Sequence, residues 1–258
     1  MFCGAPGPLT KEHVWPRWAR SLLPADGHVP VEHVIAVDGE APTERSFLAS
    51  GFDETTRKVC ATCNNGWMAD LEERAKPLIR AMAADEPVIL DEDAQRVLAA
   101  WALKTAIVHD CAPGGPWRPS AMSAEARHLA QTGAPTGNVL VWLSGFLDAP
   151  PARARLWGTI ANVVTMDGAQ VTADIYGATF SLGPVCFQII FTAVPDMAEA
   201  FAIEERPTIS LLWPYRSPFG WSERNSFADD GFEDLAAALP RILRDTFTNL
   251  PDSTEVTA

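Results

Sequence analysis

Lysine, tyrosine and cysteine are all scarce: 258 residues contain 4 Lys, 2 Tyr and 5 Cys. Five cysteines are too few, and an odd number, for a disulfide-stapled scaffold. No apolar run approaches the roughly 18 residues that a membrane-spanning helix needs. The longest, Val185 to Val194, is interrupted by Gln188 and Thr192 and reads as a buried strand. Met1 to Pro8 has neither the basic stretch nor the apolar stretch of a secretory signal. No internal repeat and no low-complexity tract is present. These absences point to a soluble cytoplasmic protein with reduced thiols and no membrane partner. In that compartment closely spaced cysteines more often hold a metal than form a disulfide.

An excess of positive charge is missing too. Lys and Arg number 20 against 33 Asp and Glu, a formal net charge of -13. That balance argues against a chain whose main task is coating nucleic acid, because phosphate binding is driven by clustered Lys and Arg. It permits one local site. The acidity is uneven: residues 1–85 carry 9 basic and 12 acidic side chains, and residues 86–258 carry 11 and 21. Sixteen arginines beside 4 lysines, with abundant alanine, read as a high-GC bacterial coding bias. What the chain has in quantity is apolar material, 47% against 21% charged residues, enough for a packed core.

The order of segments predicts an α+β fold with an antiparallel sheet. Residues 1–85 read as a small loop-rich module, 86–250 as an α+β domain of unknown role, and 251–258 as a loose tail. Within the module, Pro16 to Leu23 can form one short helix. Val29 to Val37 is a β-branched run between Asp-Gly turns, and Ser46 to Phe52 can pair with it. From about Asn65 the pattern is helical, with Trp67, Leu71, Leu78 and Met82 near one face and Pro77 expected to kink or divide the helix. Beyond Pro87, Asp91 to Cys111 reads as a long amphipathic helix and Ser123 as the cap of a shorter one. Five β-rich segments follow (139–142, 156–166, 171–176, 186–194 and 208–213), two of them joined by a hairpin turn at Met166 to Ala169. Phe232 to Phe247 closes the chain as a helix.

Chemistry concentrates in three places: Cys3, Glu12-His13-Val14-Trp15-Pro16, and Cys60-Ala61-Thr62-Cys63-Asn64-Asn65-Gly66-Trp67. Cys-x-x-Cys puts two thiolates on one tight turn, aimed at a single Zn²⁺. Tetrahedral zinc takes four ligands, so a second pair is expected, and Cys3 can be half of it. A Cys-x-x-Cys ending at Cys3 would begin one residue before Met1, so an in-frame cysteine is expected upstream of the Met1 codon.

In order and spacing these residues resemble the zinc-knuckle branch of the HNH (ββα-metal) endonuclease family, over residues 1–85 only. The resemblance implies a structural Zn²⁺ on Cys3, Cys60 and Cys63. It implies His13 as the general base that activates water, and Glu12 as a ligand of a catalytic Mg²⁺ or Mn²⁺. Asn64 would be the other ligand of that ion, with Asn65 the alternative. A hard cation prefers oxygen donors and stabilises charge on phosphate, and an imidazole with its ordinary pKa near 6.5 can accept a proton at neutral pH. The sequence departs from the family where a middle Asn is usual. That position falls near Thr55, and no Asn occurs between residues 1 and 63. A second Glu-His-Val at Glu32-His33-Val34 offers His33 as an alternative base if the ββα unit starts at Val31.

The expected function is hydrolysis of nucleic-acid phosphodiesters, DNA being the expected partner. The alternative is a catalytically degenerate zinc module that recognises nucleic acid or a protein. Other residues have plainer roles: His28 and His128 solvated, His109-Asp110-Cys111 structural at a helix end, and Cys186 in the core. Trp101, Trp142, Trp157 and Trp213 belong to core patterns, while Trp15, Trp18 and Trp67 are expected to pack the zinc module. Asp229, Asp230, Glu233 and Asp234 read as a solvated helix start.

Overall fold

A computed structural model describes residues 2–4, 7–22, 28–37, 43–50, 54–112, 119–146, 152–164, 170–192, 209–223 and 226–227. The expected hairpin turn at 166–169, the closing helix at 232–247, the acidic group at 229–234 and the tail at 251–258 lie outside the described residues. What is described is α+β, with a largely antiparallel sheet.

The chain opens with β1 (Leu9–His13), a 3-10 turn (Arg17–Leu22), β2 (His28–Val37), β3 (Thr43–Ser50) and β4 (Thr55–Cys60). A helical run follows in three pieces: α1 (Ala61–Cys63), a π-helical turn (Asn64–Met68) and α2 (Ala69–Ala83). Then come β5 (Ile89–Leu90), α3 (Glu92–Asp110) and α4 (Pro119–Thr132). The remaining strands are β6 (Val139–Phe146), β7 (Ala152–Val164), β8 (Gln170–Leu182), β9 (Val185–Thr192), β10 (Ser210–Trp213), β11 (Phe219–Gly220) and β12 (Ser226–Phe227).

The main sheet runs β10-β6-β9-β8-β7-β2-β3, with β12 beside β6. Most pairs are antiparallel, but β2 joins β7 in parallel and β12 joins β6 in parallel. Thus β2 and β3, from within residues 1–85, sit in the same sheet as the strands of the second part. β6 and β9 are buried along their whole length. Strands covered on both faces lose the alternation of a half-exposed strand and read as continuous apolar runs. The polar interruption at Gln188 is met by Thr179, 3.4 Å away on the neighbouring strand.

α3 is the centre of the molecule. Asp91 caps it, its carboxylate accepting from the Ala94 N–H at 2.9 Å. The expected amphipathic helix is corrected here: Ala94 to Asp110 is buried on all sides except at Arg96. The sheet covers one side and α2 with the β1–β4 pair covers another, so no face is left for water. Trp101 lies against Trp18, Phe180 and Phe187, with ring centroids 5.6 to 6.1 Å apart. Trp15 stands edge-on to Phe180 at 5.7 Å. Trp15 and Trp18 therefore pack into the common core with α3 and β8, and one buried cluster runs from Phe2 to Trp221.

Two local expectations change. α2 continues through Pro77, because Pro77 and Glu73, whose carbonyl it displaces, are both exposed while Leu71, Ala75, Ile79 and Met82 hold the buried face. The break falls instead at Gly66, with φ -104 and ψ -117. Ser123 is not a cap. α4 starts at Pro119, whose fixed φ and missing N–H suit a first helical turn.

Candidate functional site

β1 and β4, separated by the whole β2–β3 hairpin, pair antiparallel, and β4 runs straight into the helix. Leu9 lies opposite Cys60 at one end of the pair and His13 opposite Thr55 at the other, with a bulge between Thr10 and Glu12. The result is a β-β-α unit interrupted by an excursion into the main sheet. His33 lies on that excursion, in backbone register with Arg45 and Leu156.

At the Cys60 end three sulfurs converge. Cys3, Cys60 and Cys63 have Sγ atoms all within 4.8 Å of one another, and Cys3 and Cys60 are 3.4 Å apart. Among the described residues this is the only group of three or more His, Cys, Asp or Glu arranged to hold a metal. Its parts are held from several sides. Phe2 is buried edge-on against Trp67 with centroids 5.2 Å apart, which seats the segment carrying Cys3. The Ala61 N–H donates to the Pro8 carbonyl at 3.2 Å, tying the helix start to the residue just before β1. The Cys63 amide hydrogen bond holds the Cys60 thiol below its ordinary pKa. Burial pushes Cys63 up to about 11. Three thiolates this close repel one another, and a divalent cation among them reverses that repulsion by taking the sulfurs as anions. Their donor chemistry and spacing suit zinc, and three sulfurs leave the fourth tetrahedral position to another donor.

Glu12 and Asn64 are engaged separately. The Asn64 amide donates to Thr10 Oγ1 at 3.0 Å and to the Lys11 carbonyl at 3.4 Å, stitching the helix to β1. Asn64 is thus a cross-brace, not a helix cap, and Asn65 is exposed. Glu12 is buried and turned inward, its Oε1 3.9 Å from Nζ of Lys104. Lys104, 0% exposed, also meets Glu72 Oε1 at 2.8 Å. Burial raises Glu12 to about 7, with Lys104 pulling against it. As arranged, Glu12 does not fit a divalent ion, because its oxygen faces the Lys104 ammonium; the Asn64 amide nitrogen is turned to β1.

A second buried group lies beneath the His13 end. The Val14 N–H donates to the Glu54 carbonyl at 3.0 Å, and Thr56 Oγ1 donates to the Cys111 carbonyl at 2.9 Å. The first extends the strand pairing, and the second docks the pair on the C-terminal end of α3. Glu54 Oε1 lies 3.6 Å from Nδ1 of His109, longer than a hydrogen bond, so burial decides and raises Glu54 to about 7. Burial does the same to Asp110. Oε2 of Glu54 and Oδ1 of Asp110 have no hydrogen-bond partner among the described residues.

Both acids hold a proton more tightly folded than unfolded. Their cost to the fold is absent below the unfolded pKa near 4, grows as pH rises, and levels off above about 7. Urea unfolding should show stability falling between pH 5 and 7 by about 1 kcal/mol per unit for each group. Glu54→Gln with Asp110→Asn should reduce that slope and leave the share of Glu12, which burial raises to about 7 as well; an unchanged slope would contradict the assignment.

Lys104, Glu72, Glu54 and the burial of His109-Asp110 do not stand out in the sequence as parts of a site. One signal points to them: Lys104 shares a helical face with Val97, Trp101 and Val108, where a lysine is out of place. No helix among the described residues is long and apolar enough to cross a membrane.

Comparison with known proteins gives no match to a family model, a curated protein or a solved structure.

Proposed function

We propose that β1, β4 and the helix after them form a zinc-stapled module of the HNH (ββα-metal) type that acts on nucleic acid, hydrolysing phosphodiesters with His13 as the general base. The observation that carries this reading is the charge pattern around His13. In the described parts of residues 2–22 and 54–63, every exposed charged side chain is cationic: Lys11, Arg17, Arg20, Arg57 and Lys58. The two acids of the same stretches, Glu12 and Glu54, are turned inward to Lys104 and His109. A chain of net charge -13 thus exposes only cations, among its charged side chains, along these described stretches. Cations on a strand pair suit a phosphate backbone, and the helix supplies the frame. The resemblance adds Mg²⁺ or Mn²⁺, which would supply charge stabilisation on the phosphate; Glu12, facing the Lys104 ammonium, does not fit such an ion as arranged.

The second reading is a module that binds nucleic acid without cutting it, and the Glu12–Lys104 contact favours it. Both readings meet one experiment. Purified protein is titrated against labelled DNA and RNA at several salt concentrations, then incubated with plasmid and Mg²⁺ or Mn²⁺. Binding should weaken steeply with salt. Arg57→Glu with Lys58→Glu should weaken it further and lower the salt slope by about 0.9 for each phosphate no longer neutralised. Nicking supports hydrolysis; binding without nicking supports the second reading. No salt-dependent binding to either nucleic acid removes both.

A further inference from the structure

Lys104 has no place in the packing logic of α3. Around it Val97, Trp101, Ile107 and Val108 are buried apolar side chains, and its own side chain is 0% exposed. Burying an ammonium is costly, and an apolar residue of similar volume is often tolerated as well or better in such a place. The charge is nonetheless present, and it faces two carboxylates from two other elements: Glu72 of α2 at 2.8 Å and Glu12 of β1 at 3.9 Å. That is the arrangement of a small cation between two oxygen donors, with the cation supplied by the chain.

We propose that Lys104 is the resident cation of the Glu12 site, holding the place from which a divalent ion would bridge Glu12 and Glu72. The native chain then carries no divalent metal on Glu12. A second cation bound to the same carboxylate would stand within a few ångström of the buried ammonium, where like charges repel strongly in a medium less polar than water. Lys104 also ties β1 to α2 through one point, which fixes the strand that carries His13. The ammonium keeps the ion out whether or not the chain cuts nucleic acid.

The test is Mn²⁺ binding to the zinc-loaded protein, followed by electron paramagnetic resonance or calorimetry. In the native chain Glu12→Gln should leave Mn²⁺ binding unchanged. Lys104→Met removes the ammonium and leaves two acids facing its place, so it should bind one Mn²⁺ on the order of 100-fold tighter than the native chain. Lys104→Arg keeps the charge and should bind no better than native. Adding Glu12→Gln to Lys104→Met should erase the gain. The proposal is overturned if Lys104→Met, folded and retaining its zinc, gains no affinity. It is equally overturned if native protein binds stoichiometric Mn²⁺ that Glu12→Gln abolishes. This second arm stands even if the Lys104 variants do not fold. Failure to cleave DNA changes neither outcome.

Discussion

Replacing His13 with Ala should lower phosphodiester cleavage by about 10²- to 10⁴-fold, the usual contribution of a positioned general base, while leaving zinc content and nucleic-acid affinity near native. The separation follows from the register. Leu9 marks the Cys60 end of the strand pair and His13 the Thr55 end, so the imidazole is about 13 Å along the strand from the thiols at about 3.3 Å per residue. The cationic side chains around it are untouched by the substitution. His13 is half-buried, and the backbone beyond it is fixed by the Val14 to Glu54 hydrogen bond, so the loop should keep its shape without the ring. Single-turnover plasmid nicking measures the loss, and gel shift measures retained binding. Cleavage that survives His13→Ala would remove the base assignment.

The second large effect concerns the thiols. Cys63→Ser, or exhaustive chelation of the native protein, should release the metal and unfold the β1–β4 pair with α1 and the π-helical turn. A structural zinc contributes roughly 10–16 kcal/mol in isolated zinc modules, comparable to the roughly 5–15 kcal/mol net stability of a whole domain. Here part of that loss is offset, because Val14, Trp15, Val59 and Met68 also pack in the common core. The expected result is local: amide protection lost over residues 9–13 and 54–68, and retained in β6, β8 and β9. Hydrogen exchange read by mass spectrometry checks it. Uniform loss across the sheet, or none anywhere, would contradict a local staple.

The parts of this site that are legible in the sequence are local in chain position. Cys60-x-x-Cys63 entering a helix, the Glu12-His13 pair, the strand over residues 28–37 and the Asp91 cap each depend on a few neighbouring residues. The parts that are not legible depend on distant ones. β1 finds β4 across the entire β2–β3 hairpin, and β2 then adds to β7 in parallel; no short-range pattern encodes either pairing. The amphipathic reading of α3 fails because Gln95, His109 and Asp110 would form its wet face, whereas each is buried. Pro77 is a sound helix-breaking signal overridden by a packed face opposite it. The three cysteines expected to hold zinc do converge in the structure, because the strand pair and the helix start that carry them meet at one end. Glu12 does not keep its expected partner, because the lysine that meets it is Lys104, far along the chain on α3.

The most direct test of the account is the metal content of native protein purified without chelator. Elemental analysis combined with native mass spectrometry should find one zinc per chain, and none in the variant carrying Cys3→Ser, Cys60→Ser and Cys63→Ser. Native protein that is folded and free of zinc would contradict the central claim that these three thiols staple the strand of His13 to its helix.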